Sequence, residues 1–244
     1  MKLQPTRDLP IYSRANRPAV MPSEMRVGEL DKPVTIDNLT QRIIDDSGYN
    51  PIFPRHALMV DIETLDTRPY SKILSIAGVV FDSLADRSSI VDANGNVIAP
   101  HFSIVLELIG QGHRTQDEST VEWWSKQSPE ARAPIFGPGV AKVPYVEGIR
   151  SFWAWAKEQQ ADGAFACSPA FDYTILDTAG EDVLGYGNKF PIPFYNHTDV
   201  RSLRNFVFGK KKIDWGIKHE ALGDCVRQIF EMQELYLWRK QKQG

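Results

Sequence analysis

The stretch Ala57-Leu58-Met59-Val60-Asp61-Ile62-Glu63 sets two carboxylates into a run that is otherwise apolar. A short run this rich in aliphatic residues reads as a buried strand. Side chains alternate faces along a strand, so Asp61 and Glu63 project from the same face of a sheet. Two acids on one buried face are costly unless a cation meets them, and hard divalent cations with oxygen ligands are the natural partner. An Asp-x-Glu pair also arises by chance in an acidic chain, so its meaning depends on what surrounds it.

Two further runs of the same texture follow, at residues 73–81 and 102–108. The turn residues Asp92, Asn94, Gly95 and Asn96 lie between them and suit antiparallel connections better than helical crossovers. A three-strand antiparallel meander is therefore expected to open the domain. Helical spacing comes next, over 117–127, with Val121, Trp124 and Trp123 directed inward, and over 143–160, with Tyr145, Ile149, Phe152, Trp153 and Ala156 on one face. A short strand at 164–167 leads through Ser168-Pro169 into a helix over 171–179. Another short strand near Phe194-Tyr195-Asn196 leads into a helix over 199–206. A last helix over 220–239 carries Leu222, Cys225, Val226, Ile229 and Phe230 as its core stripe. Strands first and then alternating strand and helix imply an α/β fold, a mixed sheet flanked by helices.

At 244 residues and 42% hydrophobic, the chain can bury one sizeable core and carry an appendage. Residues 1–55 are that appendage: Pro5, Pro10, Pro18, Pro22, Pro33, Pro51 and Pro54 interrupt every candidate element. One short helix is expected there, starting near Asp37 or Asn38 and ending at Ser47-Gly48. The second unit is residues 56–244. A net charge of −3 excludes the global basic field of a nucleic-acid coat protein but leaves room for a local basic path. The two cysteines, Cys167 and Cys225, fit neither a zinc site nor a disulfide framework. The sequence has no signal-peptide pattern and no run of 18 apolar residues, so the expectation is a soluble, cytoplasmic protein with no membrane partner.

Three more residues carry candidate chemistry. Asp172 lies just after the Ser168-Pro169 turn, where an acid either caps a helix or ligates a cation. His219 and Asp224 stand at the entry and in the first turns of the last helix, where an exposed histidine and a solvated aspartate are the bland alternative.

In order and context, Asp61-x-Glu63, Asp172, His219 and Asp224 resemble the acid and histidine set of the DEDDh exonucleases, a family with the ribonuclease H-like fold. The stretches 59–69 and 73–81, Thr120-Val121-Glu122-Trp123-Trp124-Ser125, Asn196-His197-Thr198-Asp199-Val200-Arg201 and His219-Glu220-Ala221-Leu222-Gly223-Asp224 are similar to its ribonuclease T-like branch in bacteria and phages. The resemblance covers residues 57 to about 238. The connection from Gly110 to Arg114 falls outside its motifs, and Gly223 stands where that branch often has a second acid.

The resemblance implies a 3'-to-5' exonuclease acting on single-stranded nucleic acid with a free 3' end, RNA slightly favoured over DNA. It implies two Mg2+ or Mn2+ ions held by Asp61, Glu63, Asp172 and Asp224, with Asp61 bridging both ions and His219 as general base. It implies that backbone at Thr64 and Leu65 meets the terminal 3' hydroxyl while Leu65 wedges against the last base. A homodimer is compatible with family precedent. Trp123 or Trp124 can offer a stacking surface for unpaired bases, with at most one of the two exposed, and Trp124 is taken as the substrate contact. Lys210-Lys211-Lys212 is either a phosphate contact or a solvated turn. Asp199 and Arg201 either support the site or, in the case of Asp199, cap a helix. The remaining histidines, His56, His101, His113 and His197, have no metal-site spacing. Two rival readings stay open: a ribonuclease H-like binding module that does not cut, which predicts a broken acid set, and a phosphoesterase acting on short nucleotides.

Overall fold

In the computed structural model, residues 53–209 and 211–243 are described. The helix expected near Asp37 lies outside them, as does the arm up to residue 52. Phe53 is already part of the fold: it is buried, its ring meets Tyr236 edge-on at 5.5 Å, and the Arg239 guanidinium lies over it.

The sheet has five strands in the order β3-β2-β1-β4-β5. Strands β1 (Ala57–Thr64), β2 (Ile73–Phe81) and β3 (His101–Val105) form the expected antiparallel meander. Strands β4 (Gly163–Ala166) and β5 (His197–Asp199) continue the sheet in parallel from β1. Six helices accompany it among the described residues: α1 (Glu118–Ser125), α2 (Pro129–Phe136), α3 (Tyr145–Glu158), α4 (Pro169–Leu184), α5 (Val200–Phe208) and α6 (Ala221–Gln243). This is the mixed, helix-flanked sheet that the ribonuclease H-like resemblance implies.

The alternation of β1 builds both halves of the core. Leu58, Val60 and Ile62 join Ile149, Phe152, Leu176 and Ala179 of α3 and α4 on one face. Ala57 and Met59 join Cys225, Val226, Ile229 and Phe230 of α6 on the other. Asp61 and Glu63 continue the second series, so the pleat that buries Met59 against α6 also delivers both carboxylates to that helix. At Gly180 in α4 an added Cβ would sit 2.6 Å from Trp153 of α3, so the close contact of these helices requires glycine there.

Several boundaries differ from expectation. β3 stops at Val105 because the chain then pairs with Val143, with Glu107 N–H donating to the Val143 carbonyl at 2.9 Å. Phe194–Asn196 is a 3-10 turn rather than a strand; Pro191 and Pro193 crowd it, and the strand proper begins at His197. α2 was hidden by its own prolines, although Pro129 occupies the first turn, where no N–H partner is required. On α1, Trp124 is inward as expected, but Val121 and Trp123 are each 41% exposed. The 110–114 connection proves to be a fastener. Gln111 is fully buried, accepting from Ile73 N–H and donating to the carbonyls of Ile73 and Glu107.

Candidate active site

Three separate elements bring the acids together. Asp61 and Glu63 come from the C-terminal half of β1, where Asp61 pairs across the ladder with Ala77 and Glu63 with Ser75. Asp172 sits in the first turn of α4, which starts immediately after β4, the parallel neighbour of β1. Its carboxylate accepts from the backbone N–H of Ile62 at 3.3 Å and of Ser168 at 3.4 Å, so it both caps its own helix and reaches across to β1. Asp224 lies in the first turn of α6, and Gln228, one turn further on, donates to Asp61 Oδ1 at 2.7 Å.

The electrostatics are those of an under-compensated acid cluster. Asp61, Glu63 and Asp172 are all buried. Burial, then repulsion from Asp224 and Asp172, holds the Asp61 and Glu63 carboxyls well above the usual range. Burial pushes Asp172 up to about 7, against the lowering effect of backbone hydrogen bonds and the Arg201 charge. Among the described residues, Arg227 is the one guanidinium that pairs directly with an acid of the cluster, reaching Asp224 Oδ1 at 2.9 Å. Several carboxylates facing one another with so little cationic compensation suit a divalent cation bound through oxygen.

His219 completes the group. Ligand atoms of Glu63, His219 and Asp224 all lie within 4.8 Å of one another. The residue has φ 63°, the left-handed region that non-glycine residues seldom adopt. Its ring meets Trp123 edge-on at 4.7 Å. Burial lowers its pKa from the ordinary 6.5, opposed by Asp224 and assisted by Lys212, Arg227 and Lys218. The imidazole is therefore mainly neutral at pH 7 and able to accept a proton.

Beside the acids a groove of about 400 Å³ runs along Glu63, Thr64, Ser119, Thr120, Trp123 and Phe171.

The family of 3'-5' exoribonuclease Rv2179c-like domains matches residues 56–236. The chain belongs to that family. It is an enzyme of the 3'-5' exonuclease class, as the DEDDh resemblance implies. An exodeoxyribonuclease of Enterobacteria phage T4 is 24% identical over 200 residues, covering 72% of this chain and 86% of the phage protein. Among solved structures, S. pombe Pop2p in its Mg2+ and Mn2+ bound form aligns with TM-score 0.47 and 12% identity, over 81% of this chain and 86% of that one. E. coli exonuclease I in complex with a dA16 oligonucleotide aligns with TM-score 0.46 and 12% identity, over 78% of this chain and 44% of that one.

In this Rv2179c-like domain the five predicted residues Asp61, Glu63, Asp172, His219 and Asp224 converge, while the predicted substrate contacts are redistributed. Leu65 does not reach the groove: it is buried with Leu74, Trp124 and Ile135, its N–H donates to the Lys72 carbonyl, and its own carbonyl accepts from Asp117. The Leu65 side chain thus packs in the core rather than standing out into the groove. Trp124 is 3% exposed and donates through Nε1 to the Thr64 carbonyl, so its placement is structural and Trp123 is the exposed aromatic. Thr64 lines the groove but is buried, its hydroxyl donating to the Asp66 carbonyl.

Asp199 caps α5, accepting from Ser202 N–H at 3.0 Å, whereas Arg201 is exposed and lends its charge to Asp172. Lys211 and Lys212 are exposed; Lys210 lies outside the described residues. An added Cβ at Gly223 would come within 2.9 Å of Glu220 Oε2, so any side chain at position 223 would require the Glu220 carboxylate to shift. Arg227 and Gln228 were missed by the sequence reading, because polar residues inside an apolar helical stripe resemble exposed ones until the helix is docked.

Proposed function

We propose that this domain removes nucleotides one at a time from the 3' end of single-stranded nucleic acid, with RNA favoured over DNA. Asp61, Glu63, Asp172 and Asp224 would hold two Mg2+ or Mn2+ ions, and His219 would act as general base. The observation that carries the proposal is the convergence of Glu63, His219 and Asp224 within 4.8 Å at the edge of a buried acid cluster. The donor set is oxygen-rich and negatively charged, which matches hard divalent ions and argues against zinc held by thiolates. When bound, such ions neutralise the scissile phosphate and make water easier to deprotonate.

The protein's own groups perform the remaining work. His219, neutral and aimed at the acid cluster, takes the proton of the attacking water. The bond from phosphorus to the 3' oxygen of the preceding nucleotide breaks, releasing a nucleoside 5'-monophosphate and a new 3' hydroxyl. The groove between Glu63 and Trp123 has the size and polarity to seat the terminal nucleotide, and the exposed Trp123 face can stack against its base. Lys212 and Lys218, whose charges reach His219, supply a local basic path for the phosphate chain.

The RNA reading draws on the family's description as exoribonucleases. The phage T4 relative supports a second reading, in which DNA is the substrate. The test is degradation of 5'-labelled single-stranded RNA and DNA oligomers of graded length, with Mg2+ or Mn2+, comparing the native chain with Asp61→Ala and His219→Ala. A ladder shortening from the 3' end, lost in Asp61→Ala and slowed in His219→Ala, is the expected result, and the faster polymer names the sugar. Cleavage restricted to dinucleotides would move the reading to a short-substrate phosphoesterase. Binding of both polymers without cleavage would identify a non-cutting module.

A further inference from the structure

Helix α6 carries a polar stripe beside its apolar one. Asp224, Arg227, Gln228 and Glu231 follow i, i+3, i+4, i+7 spacing and therefore share a face. Arg227, Gln228 and Glu231 are 6%, 0% and 2% exposed. Burying such groups is unfavourable unless their polar atoms are satisfied. Arg227 donates to Asp224 Oδ1 at 2.9 Å and to Glu231 Oε1 at 3.4 Å, and Glu231 Oε2 in turn accepts from Arg204 of α5 at 2.9 Å. Gln228 donates to Asp61 Oδ1 at 2.7 Å, yet its own Oε1 is buried without a partner.

That asymmetry is informative. If residue 228 served only to fill the core, an aliphatic side chain of similar volume would do so without an orphaned oxygen. The amide makes one bond, and that bond goes to Asp61. Arg227 likewise uses the centre of a buried charge ladder to reach a single oxygen of Asp224. Among the described residues, no hydrogen-bond donor reaches Oδ2 of either acid.

We infer that Arg227 and Gln228 are positioning residues for the metal site, each holding Oδ1 of a ligand carboxylate and leaving Oδ2 available to the cation. The inference rests on the reading of Asp61 and Asp224 as metal ligands. It assigns the ladder Asp224–Arg227–Glu231–Arg204 a function beyond fastening α5 to α6, because the ladder terminates on an acid of the site. Groups that orient ligands in this way are worth roughly tenfold to a hundredfold in metal affinity or activity.

The experiment is a calorimetric titration of the EDTA-stripped full chain with Mn2+, using wild type, Gln228→Met, Arg227→Met, Arg227→Lys and Asp61→Asn, with melting curves and oligonucleotide KM and kcat measured in parallel. Gln228→Met and Arg227→Met are expected to bind Mn2+ about tenfold to a hundredfold more weakly and to lose kcat at constant KM. Arg227→Lys, which keeps the charge but cannot hold Asp224 and Glu231 with one rigid fork, should fall between Arg227→Met and wild type. It also supplies the arginine reading if Arg227→Met does not fold. Wild-type Mn2+ affinity in folded Gln228→Met and in a folded Arg227 variant would overturn the inference. No Mn2+ binding by wild type itself would overturn the metal-site reading first, and the inference with it.

Discussion

Two of the places where the domain buries charge are treated differently. Around Arg114 compensation is complete: the guanidinium is 3% exposed and reaches the Asp182 carboxylate, the Tyr145 and Thr178 hydroxyls and the carbonyls of Ser71, Ile175 and Pro69. Around Asp61 it is not: acids face one another with one direct arginine partner among the described residues. The first arrangement fastens the 110–114 connection to the segment that precedes β2 and to α4. The second gathers acids whose mutual repulsion a bound cation would relieve. Buried charge with every donor matched is architecture, and buried charge left in excess marks the place where something else binds.

Substitutions separate the two directly. Asp61→Asn should reduce cleavage roughly a thousandfold, the scale on which a group acting in the transition state is lost, while the metal-free protein melts no lower than wild type because a repelled charge has gone. Loss of stability comparable to the loss of activity would erase the distinction. His219→Ala should slow kcat about a hundredfold or more. Arg114→Met should do the reverse. It leaves Asp182 short of a partner and costs about 3 kcal/mol, seen as a fall of roughly 6–12 °C in melting temperature, with Mn2+ affinity unchanged.

A pH series sharpens the comparison further. Asp61, Glu63 and Asp172 hold their protons to higher pH in the folded chain than in the unfolded one, Asp172 to about 7. The folded chain therefore binds more protons between about pH 4 and about pH 7, and metal-free stability falls as pH rises through that interval. Saturating Mg2+ should flatten or invert the slope, so melting curves in EDTA that rise from pH 4.5 to 7.5 would contradict the excess-charge account. Asp66 behaves oppositely: held down to about 2 chiefly by Arg68, it contributes stability that is lost as pH falls below about 4. The smallest expected effect is Trp123→Ala, which removes a surface ring and should raise KM for single strands about tenfold, on the scale of one lost stacking contact, with little change in melting temperature.

What the sequence disclosed depended on the kind of order each residue obeys. Asp61 and Glu63 were legible because a strand has a period of two, which puts them on one face whatever lies opposite. His219 and Asp224 were legible only through resemblance, since nothing local announces that a left-handed histidine and a first-turn aspartate will meet Glu63. Trp124 was placed at the substrate although which ring of Trp123 and Trp124 is exposed depends on how α1 docks, and Leu65 was placed there by resemblance, which does not report how its side chain packs. Gln111 and Arg114 were silent: most of their partners, carbonyls, hydroxyls and the Asp182 carboxylate, lie far along the chain, and no periodicity encodes such bonds. Two prolines obscured α2, although one of them favours the helix that contains it.

The distance along the chain between the parts of the site has a temporal meaning. Gln228 and the Asp61 it holds are 167 residues apart. A polypeptide made from its N-terminus displays the β1 acids early and receives its histidine and final carboxylate only with α6. On the proposed assignment of ligands and base, a nascent chain that has not yet made α6 lacks part of the site, and the capacity to cut would arrive with the helix that closes the core.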